Sequence, residues 1–164
     1  MSHHTATVRW EREQARFVDR RYSRAHRWSF DGGLELPASS SPHVVPLPYS
    51  DPAGVDPEEA YVAALSSCHM LGFLFAAARR GFCVERYQDE AVGVMEPNEA
   101  GKAVISRVTL RPQVLFSGTL RPDEAAVAEL HREAHDECFL ANSVRTVVET
   151  RGSWSYLEPA LTGA

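Results

Sequence analysis

The sequence predicts a mixed fold: strands first, then a long helix, then two β segments, a second helix and a last strand. Three features predict it. Residues 60 to 78 are apolar nearly all the way round and carry helix start and stop residues at their ends. The runs 84–94 and 103–116 are rich in strand-forming residues, mostly β-branched in the second. Asp31-Gly32-Gly33 stands between apolar stretches, where two glycines supply the positive φ of a tight hairpin.

Thr5 to Trp10 alternates, and Glu13 to Tyr22 is polar with Phe17, Val18 and Tyr22 interspersed. His26 to Leu36 forms the hairpin around the glycines. Residues 37–55 are rich in Pro and Ser and read as a long loop, a kind of segment that tends to be functional or mobile. At the first helix, Asp56 suits the N-cap and Pro57 the first helical position, while Glu58 and Glu59 suit the positive end of the dipole. Arg79-Arg80 and then Gly81 end it. A helix this apolar is predicted to be buried on most sides. A turn near residues 97–101 joins the next two strands. Pro122 opens the second helix, with Asp123 and Glu124 in its first turn and an end near Glu137. Residues 144–156 read as the last strand, and no repeat interrupts the order.

The 164 residues fit one compact domain, 1–164, or one domain intertwined with a copy of itself. A net charge of −5 argues against nucleic-acid binding, and no basic run suits an anionic membrane surface. Residues 60–78 approach the length of a membrane span, but their alanines, serines, histidine and glycine make them weakly hydrophobic. The N-terminus shows no apolar secretory core, so the predicted setting is the reducing cytoplasm. Cys68, Cys83 and Cys138 are too few for a disulfide scaffold, although two of them can form a transient catalytic disulfide.

Tyr61, Ala64, Leu65, Cys68, Leu71, Gly72 and Phe75 recur at helical spacing, as do Val127, Leu130, Ala134 and Cys138. Each cysteine is thus predicted on the stripe its helix turns to the core. Packed helices would bring the thiols within disulfide range, a Cα separation of roughly 4.4 to 6.8 Å. Two alternatives stay open. A cysteine on an apolar face is commonly a small core residue. His131, His135 and Cys138, completed by Cys68 or His69, have a spacing suited to zinc.

Gly54-Val55-Asp56-Pro57-Glu58-Glu59 followed by Ala63-Ala64-Leu65-Ser66-Ser67-Cys68 resembles the first signature of the OsmC/Ohr family, in which a cysteine lies ten residues after a Pro-Glu glutamate. Ala134-His135-Asp136-Glu137-Cys138, followed by Asn142-Ser143, resembles the second. The resemblance runs from about Gly32 to Tyr156. It implies an α+β fold of antiparallel sheets with two long central helices, in an intertwined homodimer. It also implies reduction of an organic hydroperoxide without cofactor or metal, and regeneration by a dithiol or small thiol. Cys68 would attack and Cys138 resolve, while Arg24, with Arg21 and Arg20 as rivals, would hold the thiolate, and Glu58 would hold the arginine. A binding member of the same fold without chemistry is the alternative. Phe139 stands where the family often has proline. His69 is read as flanking the pocket and Cys83 as a small buried residue without a role. Phe17, Tyr61, Met70, Phe73, Phe75 and Phe139 are candidate apolar lining.

Overall fold

The computed structural model describes residues 1–158; residues 159–164 of the predicted domain span lie outside them. The chain groups into two compact units, Met1–Tyr61 and Val62–Ala164.

The first unit holds a three-stranded antiparallel sheet of β1 (Ala6–Arg9), β2 (His26–Phe30) and β3 (Glu35–Ala38), in the order β1-β2-β3. The hairpin falls where the glycines place it. Gly33 has a φ of 83°, and its N–H donates to Phe30 O at 3.0 Å. The loop that follows returns to the sheet through a bridge between Ala38 and Val55. Asp56 then caps α1 (Pro57–Arg79). Glu59 N–H donates to Asp56 Oδ1 at 2.7 Å, and Asp56 N–H donates back to Glu59 Oε2 at 3.3 Å, so two orphan donors are satisfied reciprocally.

The second unit is built on the remainder of α1. Gly81, at a φ of 80°, ends the helix, with Phe82 N–H donating to Ala77 O and Gly81 N–H to Ala78 O, both at 3.0 Å. β4 (Cys83–Asp89), β5 (Val92–Pro97), β6 (Ala103–Leu110), β7 (Pro112–Ser117), α2 (Glu124–Asp136), β8 (Val147–Thr150) and β9 (Ser153–Tyr156) follow, with a 3-10 turn at Ala141–Ser143. Each long strand predicted from sequence is two strands here, and all three runs break at one level. There Arg111 N–H donates to Asp89 Oδ1 at 2.6 Å, and Arg151 N–H to Leu110 O at 2.8 Å. A side chain at Gly152 would meet Pro112 O at 2.9 Å, so only glycine fits the corner. The break yields two sheets, β4-β7-β9 and β5-β6-β8. They are mixed rather than antiparallel, because β8 pairs with β6 and β9 with β7 in parallel.

Phe73, Ala76 and Ala77 of α1 meet Val127, Leu130 and Ala134 of α2 and the inner residues Val114 and Phe116 of β7 to form the core. Of the burial predicted for this helix, one chain supplies only part. Within the chain α1 buries one stripe, Leu65, His69, Phe73, Ala76 and Ala77, whereas Leu71 and Phe75 are 61% and 68% exposed. A helix apolar on every face has no polar side to mark its outside, so periodicity picked the neighbouring stripe. α2 has a polar side, and Val127, Leu130 and Ala134 are buried as predicted. Asp123 is its N-cap, accepting from Ala126 N–H at 2.7 Å, rather than part of its first turn. Cys83 is also corrected: it opens the edge strand β4, is exposed, and its thiol faces Glu85 Oε1 at 3.8 Å.

Candidate active site

α1 and α2 pass close at Gly72, where an added Cβ would lie 3.4 Å from the Cα of Ala134. One turn before Gly72 stands Cys68, and one turn after Ala134 stands Cys138. The close passage sets the two thiols beside each other, near enough for each to act on the other's ionisation. Both are free, Cys68 half-buried and Cys138 only 3% exposed. Burial, and then the Cys68 thiol beside it, push the Cys138 thiol up from its ordinary range, so Cys138 stays protonated near neutral pH.

The polar turn after Cys138 has a mechanical role. Asn142 Nδ2 donates to Asp136 O at 2.8 Å and to Cys138 O at 3.0 Å, and Ser143 Oγ donates to Phe139 O at 2.7 Å. Ala141 N–H points at Cys138 Sγ from 3.4 Å. These bonds tie the chain reversal to the end of α2 and hold the sulfur at the crossing, with Phe139 in the place of a proline.

Cys68 opens on a cavity of about 430 Å³. Leu71, Gly72 and Phe75 continue the α1 face along it, Phe139 closes one side, and Arg79, Glu133 and Glu137 supply its polar groups. Of the lining residues predicted from sequence, Phe75 and Phe139 line this cavity. Phe73 belongs to the core, and Phe17 stacks on Tyr22 within the first unit, ring centroids 4.7 Å apart. Tyr61 and Met70 are not among the lining residues. Arg79, eleven residues beyond Cys68, lies about 16 Å along the helix axis, too far to hold its thiolate. It pairs with Glu133, which also accepts from Arg80 at 2.8 Å.

In the first unit, Arg24 is half-buried and held in place by its own loop. Its Nη1 donates to Arg20 O at 2.9 Å and Tyr22 O at 2.5 Å, and its guanidinium lies 3.8 Å over the Tyr22 ring. Among the described residues no carboxylate forms an ion pair with Arg24, and Glu58, half-buried in the first turn of α1, forms none either. The predicted Arg24–Glu58 pair is therefore not made within one chain. Arg20 and Arg21 are both exposed.

His69 does not flank the cavity as predicted. It is 1% exposed, and its Nε2 meets His131 Nδ1 at 3.1 Å. His135 is exposed, and among the described residues no group of three or more His, Cys, Asp or Glu is arranged to hold a metal. The zinc reading fails on this geometry, because His131 is turned to His69 and not to Cys138. The histidine pair was missed from sequence because it depends on which stripe of α1 is buried.

An α+β chain thus carries two neighbouring thiols at a helix crossing, beside a largely apolar cavity. The chain belongs to the OsmC-like family, whose model matches residues 50–151. An OsmC-like protein of unknown function from Vibrio cholerae has a solved structure that is 54% identical, with a TM-score of 0.91 over 93% of this chain and 99% of that one. An organic hydroperoxide resistance protein OsmC from Legionella pneumophila, 14% identical, shares the fold at a TM-score of 0.62 over 94% of this chain and 98% of that one. The organic hydroperoxide resistance protein OhrB of Bacillus subtilis, 16% identical, does so at 0.58 over the same shares. No curated protein matches the chain.

Proposed function

We propose that the protein is a thiol-dependent peroxidase that reduces organic hydroperoxides to alcohols. The side-by-side placement of the Cys68 and Cys138 thiols is the observation that carries the reading. The apolar walls of the adjoining cavity suit an organic peroxide, and fold relatives named for organic hydroperoxide resistance give it context. In the proposed cycle the Cys68 thiolate attacks the distal peroxide oxygen and the O–O bond breaks. Cys68 becomes a sulfenic acid, and the alkoxide takes a proton and leaves as alcohol. Cys138 then attacks the sulfenic sulfur and water leaves, giving the Cys68–Cys138 disulfide. A dithiol or two small thiols reduce it by exchange and are themselves oxidised.

Arg24 is the proposed cation for the thiolate and Glu58 the proposed acid for the arginine. The setting is the cytoplasm, and the working form is a homodimer. Leu71, Phe75 and Phe139, all strongly exposed in one chain, are the apolar surface that a second copy would cover. Mass spectrometry after one equivalent of cumene hydroperoxide tests the reading. A Cys68–Cys138 crosslink is the expected product, Cys68→Ser should consume no peroxide, and Cys138→Ser should stop after one turnover with Cys68 over-oxidised. Unchanged thiols in the wild type would remove the proposal.

A further inference from the structure

The buried pair of imidazoles has no part in that cycle, yet it joins the two helices that carry the thiols. His69 follows Cys68 on α1. His131 lies one turn before Ala134 on α2, so the pair sits within a turn of the crossing. The rings stack at 11°, with centroids 5.4 Å apart. Phe73 packs on His131 with ring centroids 4.5 Å apart, and His131 Nε2 reaches the space left by the missing side chain of Gly152, where a Cβ would stand 3.3 Å away. His69 Nδ1 is buried without a partner. The orphan is less costly as a bare acceptor than as an N–H, which makes His69 Nε2–H the donor and His131 Nδ1 the acceptor.

We propose that the His69–His131 contact is a positioning device for disulfide closure, pinning α1 to α2 so that the Cys68 and Cys138 sulfurs stay within bonding reach, and that it releases when both rings carry protons. One proton on the pair leaves the contact in place, because the facing nitrogen of the second ring still accepts. The second proton makes both facing nitrogens donors, and the contact breaks. The charged groups around His69 are His131 and His135 from α2 and Asp89 from β4. The two histidines oppose its protonation and Asp89 favours it. Asp89 is already engaged, accepting from Ser66 Oγ at 2.5 Å and from Arg111 N–H at 2.6 Å. Burial is the main cause of the opposition in both rings, which are held down at about 4, so the pin is closed at neutral pH.

The proposal rests on the peroxidase reading for its biological use, but closure can be measured without any peroxide. In a Cys83→Ser background, 2-hydroxyethyl disulfide forms a mixed disulfide on the more accessible Cys68 and releases one thiol. Cys138 then displaces the second thiol and closes the internal disulfide. Acid-quenched mass spectrometry times the two steps separately. His131→Phe should leave the first step unchanged and slow the second at least about tenfold, as a small misplacement of reacting atoms does. His131→Asn keeps an acceptor where Nδ1 stood, so it should close at the wild-type rate at neutral pH. As the pH falls toward 4, wild-type closure should drop more steeply than the loss of thiolate alone, and His131→Asn should follow the thiolate alone. Equal closure rates in wild type and a folded His131→Phe, or identical acid slopes in wild type and His131→Asn, would overturn the proposal. If the Phe variant does not fold, the comparison of slopes decides alone. Failure to react with cumene hydroperoxide would sink the peroxidase reading and leave this outcome untouched.

Discussion

Cys138 and Arg24 show how differently two candidate site side chains are prepared. Burial and the neighbouring thiol keep Cys138 protonated, which suits the resolving role proposed for it. Arg24 spends its Nη1 donors on two carbonyls of its own loop and lies over the Tyr22 ring, so its position is set before any partner arrives. If it holds the Cys68 thiolate, Arg24→Ala should lower the rate of Cys68 oxidation about 100-fold, on the scale of losing one positioned electrostatic group. Arg21→Ala, at an exposed site, should change it little; stopped-flow oxidation of the reduced protein measures both. His69 carries a separate prediction. Its folded pKa of about 4 lies below the ordinary 6.5, so the unfolded chain takes up the proton first as pH falls. Its contribution is complete above about 6.5 and is lost on the way down to about 4, on the order of 3 kcal/mol. Urea unfolding across that window should show the decline in the wild type and a weaker one in His69→Gln.

The helices illustrate what their residues disclose and what they conceal. Asp56, Pro57 and Gly81 mark the ends of α1 correctly, because capping is local chemistry. Cys138 continues the line of the inner stripe of α2 just past the helix end at Asp136, and the charged outer face of α2 marks the rest. The buried stripe of α1 was not legible, since Leu65-His69-Phe73 and Cys68-Leu71-Phe75 are equally apolar alternatives, and with it went the His69–His131 pair. The strand breaks were also hidden. They arise where three chains turn together, and only Pro112 and Gly152 give a local sign. The thiol pair was legible as a motif, but its contact depends on the closeness allowed at Gly72. An alanine there fits, with its Cβ at ordinary contact distance from Ala134, whereas Gly72→Val should force the helices apart. The expected outcome is a loss of about 1 to 3 kcal/mol in thermal unfolding together with slower disulfide closure.

For the molecule as a whole, the exposed apolar side of α1 is the largest unanswered demand. Phe75 and Phe139, 68% and 80% exposed, stand beside the cavity that holds Cys68. A homodimer that covers them should be broken by Phe75→Glu, giving half the wild-type mass in sedimentation equilibrium. A wild type that sediments as a monomer would count against the dimer. The exposed position of Cys83 on the β4 edge has its own consequence at the bench. A sulfhydryl in that place is open to solvent whatever happens at the helix crossing, so aged protein should accumulate covalent pairs of chains joined through the sheet rim. Such bands on a non-reducing gel would signal storage damage, and swapping that one sulfur for an oxygen would clear them without disturbing the proposed peroxide reduction.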